Sequence, residues 1–178
     1  MSAVEKGVAQ GEIVKVFETG APEETFALGE SLGKKSKAGD VYTLDGDLGV
    51  GKTVFAQGFA AGMGVQGSVN SPTFTIVQEY QGTSLPFYHF DAYRIGDESE
   101  MEEIGFEEYV YGDGVSLIEW ASQIRGILPE KRTAVTLEKD LQKGFDYRKI
   151  MVVEIGSKDE TASNRNLRAG LQRSSHGG

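Results

Sequence analysis

The sequence predicts an α/β domain of three layers, with a mainly parallel central sheet and an antiparallel portion. Three observations carry that prediction. A β-rich run at 41–44 enters a glycine loop and continues into an apolar stretch at 53–63, the strand, loop and helix order of a parallel α/β unit. Residues 115–118 are continuously apolar, as expected of a strand covered on both faces. Two further β-rich runs, 73–80 and 85–91, flank a short turn at Gln81-Gly82 and read as an antiparallel pair.

The elements follow in chain order. Residues 1–11 are polar and glycine-containing and read as a flexible leader. Residues 13–17 form a short strand. A helix fits 22–37, because Pro22 suits a first turn, Glu23 and Glu24 favour the N-terminus, and Lys34, Lys35 and Lys37 favour the C-terminus. Phe26, Leu28 and Leu32 supply part of its apolar face. The helix at 53–63 carries Val54, Phe55 and Phe59 despite Gly58 and Gly62. Residues 99–111 set Met101, Ile104 and Tyr109 among Glu100, Glu102, Glu103, Glu107 and Glu108, the pattern of one amphipathic acidic helix. Residues 135–137 and 150–155 are two more strands, expected at the sheet edge. Residues 157–178 are polar and read as a disordered tail. One folded domain over 12–156 accounts for the chain, and 178 residues suffice for a single core.

Composition removes several function classes. With no cysteine there is no disulfide, thiolate metal site or thiol nucleophile, and two histidines make a poor metal cluster. The formal net charge of −9 argues against independent tight binding to nucleic acid, which needs clustered Lys and Arg. No apolar run approaches the roughly 20 residues that span a bilayer. The opening residues lack the apolar stretch of a signal peptide. A soluble cytoplasmic protein without membrane contact is the expectation.

The chemistry is concentrated at 46–53. Gly46-Asp47-Leu48-Gly49-Val50-Gly51-Lys52-Thr53 matches G-x-x-x-x-G-K-[ST] in full, after a strand and before a helix. Glycines let the backbone N–H groups of the loop, from Asp47 to Thr53, turn toward phosphates. The helix N-terminus adds its positive end, Lys52 a point charge, and the Thr53 hydroxyl a magnesium ligand. A P-loop NTPase-like fold binding ATP and Mg2+ is the reading. Such a loop needs an acid at the end of a neighbouring strand. Glu119 ends the apolar run at 115–118, with Trp120 beside it to flank the nucleotide, and Asp91 ends the run at 85–91; both qualify. Ser71-Pro72-Thr73-Phe74-Thr75 is a polar, proline-stiffened loop where a switch segment would sit, and Thr73 is its candidate phosphate sensor.

These motifs in this order, with His89-Phe-Asp91-Ala-Tyr-Arg94 and Ile118-Glu119-Trp120, closely resemble the bacterial TsaE (YjeE) family over about 13–155. The resemblance implies an ATPase that assists TsaB and TsaD in making threonylcarbamoyladenosine in tRNAs that read ANN codons, and that meets tRNA only indirectly. It implies that Lys52 and Thr53 bind phosphates and magnesium, and that Glu119 is the second magnesium ligand. Asp91 then orients water or acts as base, Thr73 belongs to a switch, and Trp120 and Arg148 lie near the base. The leader, the tail and the loop at 139–148 depart from the family pattern.

Two rivals share the loop. A small-molecule kinase would carry an arginine-bearing lid and an acceptor pocket, neither of which is legible. A nucleotide-gated adaptor would need ATP binding without hydrolysis. No N-K-x-D or D-x-x-G sequence supports a GTPase. Arg94 is the nearest candidate for a stabilising arginine.

Overall fold

The computed structural model describes residues 2–5 and 12–156. The tail expected over 157–178 lies outside them. In chain order the elements are β1 (Ser2–Glu5), β2 (Ile13–Thr19), α1 (Pro22–Lys35), β3 (Val41–Gly46), α2 (Lys52–Gly62), β4 (Val77–Gln81) and β5 (Pro86–Asp91). Then follow α3 (Ser99–Glu103), α4 (Phe106–Val110), β6 (Val115–Glu119), a 3₁₀ turn (Ala121–Ile127), β7 (Arg132–Lys139) and β8 (Arg148–Ile155). All eight strands join one sheet in the order β1-β2-β8-β7-β3-β6-β5-β4. Its centre, β7-β3-β6-β5, is parallel, and the outer pairs are antiparallel.

Every residue of β6 is buried, as are the first four of β3, so both faces of these strands are covered. Leu44, Leu117 and Phe87 pack with Leu28 of α1 and Phe55 and Phe59 of α2 on one face. Ile118 and Phe90 pack with Met101, Phe106 and Val110 of α3 and α4 and with Ile124 on the other. That makes three layers.

The glycines of α1 and α2 explain how two helices share one face so closely. A Cβ on Gly29 would stand 2.3 Å from the Phe55 carbonyl oxygen, and one on Gly33 2.1 Å from that of Phe59. Gly58 and Gly62 face α1 in the same way, with Phe26 and Glu30 carbonyl oxygens at 2.1 and 2.2 Å. The two helices therefore meet backbone to backbone, and the helix-propensity cost of Gly, about 1 kcal/mol each, is offset by packing that no larger residue permits.

Several sequence expectations change. Ser2–Glu5, read as leader, pairs antiparallel with β2. The helix expected over 99–111 is two helices, because Gly105 adopts φ 73° and starts α4 afresh. The strand expected from 73 begins at Val77, since amides of Thr75 and Ile76 both return to the Pro72 carbonyl and close a turn. The strands placed at the sheet edge are interior: β8 lies between β2 and β7, and β7 between β8 and β3. Their burial alternates with half-exposed positions, so their apolar runs are short without their being edge strands. No helix among the described residues is long and apolar enough to cross a membrane.

Candidate functional site

Parallel pairing brings three strand ends to one level. Leu44 is in register with Glu119, and Glu119 with Asp91, so the loop leaving β3 and both acids meet at the C-terminal edge of the sheet. There they line a cleft of about 390 Å³ together with Leu48, Gly49, Gly51, Lys52, Thr53, Ser71, Thr73, Tyr93 and Trp120. A crevice at the carboxyl ends of parallel strands is where α/β folds bind ligands.

The loop has the backbone that phosphate binding needs. Gly46 has φ 150°, and a Cβ there would stand 2.6 Å from the Leu137 carbonyl oxygen; Gly51 caps α2 at φ 106°. The first α2-type bond runs from Phe55 N to Gly51 O, so the amides of Lys52, Thr53 and Val54 have no intrahelical acceptor. The Lys52 ammonium donates to the carbonyls of Gly46 and Asp47 at 2.7 and 2.9 Å and lies 3.9 Å from the centre of the Trp120 ring. Burial pushes its pKa below the usual lysine value, against the upward pull of Glu119, Asp45, Asp91 and Asp47. It is a partly desolvated cation held by dipoles that an anion can replace.

The two acids are held differently. Glu119 Oε1 accepts a hydrogen bond from His89 Nε2 at 2.8 Å. Asp91 Oδ2 accepts from the hydroxyls of Ser71 (2.5 Å) and Thr73 (2.9 Å), while Oδ1 accepts from the Tyr93 amide at 2.9 Å. Backbone strain clusters here too. Ile76 (φ 65°) and Trp120 (φ 57°) are the two non-glycine residues with positive φ among those described. Each costs of order 1–3 kcal/mol, a cost that collects at ligand clamps and switches. The Trp120 turn places its indole over Lys52 and 4.9 Å from the Tyr93 ring; the Ile76 turn closes the Ser71 to Thr75 segment onto Asp91, whose amide donates to the Ile76 carbonyl.

Leu48, Gly49, Gly51, Lys52, Thr53, Thr73, Asp91, Glu119 and Trp120, all chosen from sequence, thus share one cleft. Four others do not line it. Asp47 contributes its carbonyl to Lys52, and Val50 is wholly buried. Arg148 donates from Nε to the Val50 carbonyl at 2.6 Å and lines a separate cavity of about 50 Å³ with Pro22, Thr25, Val50, Gly51, Val54 and Asp146. Trp120 and Arg148, expected together, therefore line different cavities. Arg94 stacks on the exposed Phe74 ring, 4.4 Å from its centre, and does not line the cleft. No cluster of three His, Asp or Glu side chains able to hold a metal exists among the described residues. The oxygens of Thr53 and Glu119 nonetheless fit magnesium, a hard ion that takes few protein ligands and completes its shell with water and phosphate.

The sequence model described as "Threonylcarbamoyl adenosine biosynthesis protein TsaE" matches residues 19–169, most of the chain. The chain belongs to the TsaE family. A tRNA threonylcarbamoyladenosine biosynthesis protein TsaE from Bacillus subtilis is 47% identical over 139 residues, covering 78% of this chain and 85% of that protein. The protein of the same name from Streptomyces coelicolor is 35% identical, covering 76% and 93%. The crystal structure of Bacillus subtilis YdiB superposes with a TM-score of 0.72 at 36% identity, over 91% of this chain and 99% of that one. The TsaE fold is thus present across the whole described core.

Three cleft or cleft-supporting residues escaped the sequence argument. Tyr93 and Ser71 lie within motifs read there but had no assigned role. His89 is one of two histidines, too few for a metal cluster, but its position two residues before Asp91 puts both on one face of β5.

Proposed function

We propose that this TsaE family member binds MgATP in the cleft, hydrolyses it slowly alone, and couples nucleotide state to the assembly or resetting of a TsaB and TsaD complex. That complex makes threonylcarbamoyladenosine in tRNA, in the cytoplasm, and this acidic chain meets tRNA only through it. The observation that supports the reading best is the convergence of Lys52, Thr53, Asp91 and Glu119 on one cleft at the N-terminus of α2.

In this reading the free amides of Lys52, Thr53 and Val54 and the loop amides bind the phosphates, with α2 adding its positive end. Lys52 exchanges its two backbone carbonyls for phosphate oxygens, which offsets its desolvation. Thr53 and Glu119 hold magnesium, which would neutralise charge on the outer phosphates. Asp91 orients the attacking water through its one uncommitted lone-pair site, a carboxylate having about four. Thr73, now bonded to Asp91, senses the outer phosphate by leaving it. Trp120 shields Lys52 from water, and Arg148 lies toward the base on the other side of the loop.

Lys52→Ala tests the nucleotide assignment directly. ATP affinity, read by calorimetry, is expected to fall at least about a hundredfold, roughly 3 kcal/mol. Wild-type affinity and phosphate release in that variant would remove the P-loop reading. The coupling to partners is tested by capture of TsaB- and TsaD-like proteins with and without MgATP. A full round of modification supported by a non-hydrolysable analogue would favour the adaptor over the ATPase.

A further inference from the structure

His89 is wholly buried, yet it is a poor residue for packing alone. Its Nδ1 has no hydrogen-bond partner among the described residues, a loss of stability that Leu or Phe would not incur. Its ring lies nearly parallel to that of Phe87, 21° apart with centres at 5.9 Å, a contact that another aromatic ring would preserve. What the imidazole alone provides is Nε2, 2.8 Å from Glu119 Oε1. An ionised carboxylate only accepts, so Nε2 carries the proton and donates.

The placement follows from the sheet. Alternation along β5 puts Phe87, His89 and Asp91 on the face covered by α2, and the parallel register sets His89 opposite Leu117, two positions before Glu119. Glu119 therefore folds back along its own strand to reach the imidazole. The bond occupies Oε1 and leaves Oε2 for the cleft. Both side chains are almost fully enclosed, at 1% and 3% exposure, so little water can compete for the bond.

We infer that His89 is a positioning residue: by donating Nε2–H to Oε1 it holds the Glu119 carboxylate in the orientation that binds the divalent cation of the bound nucleotide. This inference rests on the reading of Glu119 as a metal ligand. Hydrogen-bonding partners of ligating groups typically change metal affinity ten- to a hundredfold when removed.

The experiment is a titration of Mn2+ into the full chain saturated with ADP, with free Mn2+ read by electron paramagnetic resonance. Parallel measurements give ADP affinity in chelator and the melting temperature. His89→Phe keeps the ring against Phe87 and removes the donor; Mn2+ affinity is expected to fall on the order of tenfold or more, with metal-free ADP affinity unchanged. His89→Gln carries an amide N–H to about the Nε2 position and is expected to keep Mn2+ affinity within roughly threefold. His89→Asn is too short and is expected to behave like Phe. The Gln and Asn pair decides the matter if His89→Phe does not fold. A lower melting temperature with unchanged Mn2+ affinity in Phe and Asn, while Glu119→Ala weakens Mn2+, overturns the role of His89 alone. Unchanged Mn2+ affinity in Glu119→Ala as well overturns it together with the metal reading of Glu119.

Discussion

β5 and β6 run side by side in parallel register, and each ends on a buried carboxylate at the same level of the sheet. Beyond that point they diverge. Asp91 accepts three hydrogen bonds, two of them from the loop at 71–75, and its carboxylate works as an anchor for that loop. Glu119 accepts from one buried side chain beneath it and carries no loop. The strained backbone repeats the contrast: Ile76 ends a segment tied to Asp91, whereas Trp120 follows Glu119 directly and turns over Lys52. Acids that look interchangeable in sequence are separated by their donors. One holds the loop at 71–75 in place, and the other is itself held by a buried imidazole.

The largest effects should therefore fall on Glu119. Glu119→Ala is expected to lower magnesium-dependent ATP turnover about a thousandfold, roughly 4 kcal/mol of barrier, and to leave hydrogen exchange of residues 71–76 as in the wild type. Asp91→Ala is expected to lower turnover less, about thirtyfold or ~2 kcal/mol, while amides at 71–76 lose protection. Measuring turnover and exchange on both variants breaks the comparison if the ranking reverses, or if Glu119→Ala is the variant that loosens the loop.

Much of this arrangement is legible from sequence because the signals are local. The glycine loop fixes its own backbone, and the apolar run at 115–118 announces a strand covered on both faces, which places Glu119 at its end. The breaks were less legible, since each depends on contacts distant in sequence. Gly58 and Gly62 read as blemishes in a helix until α1 supplies the carbonyls that approach them. Ile76 gives no hint of a positive φ, because β-branched residues rarely adopt one; the turn is imposed by the Pro72 carbonyl and by Asp91. β7 and β8 look like edge strands because half-covered strands have short apolar runs. The true edge β4 is more exposed than either. His89 illustrates the same limit in the site. Its meaning lies in Glu119, 30 residues away, and only the pairing of β5 with β6 brings them together.

The smallest expected effects are also the most discriminating for the anchor. Ser71 and Thr73 donate to the same oxygen of Asp91, so each hydroxyl partly compensates for loss of the other. Ser71→Ala and Thr73→Ala are each expected to lower turnover only about three- to fivefold, near 1 kcal/mol, with the double variant departing from additivity by roughly 0.5 kcal/mol or more. A sensor role for Thr73 adds an asymmetry that anchoring alone lacks. If its hydroxyl leaves Asp91 for the outer phosphate, Thr73→Ala weakens binding of a non-hydrolysable ATP analogue relative to ADP, whereas Ser71→Ala shifts both equally. Equal shifts in the two variants would reduce Thr73 to a second tether, and Asp91 would then hold the loop without any report from the nucleotide reaching it.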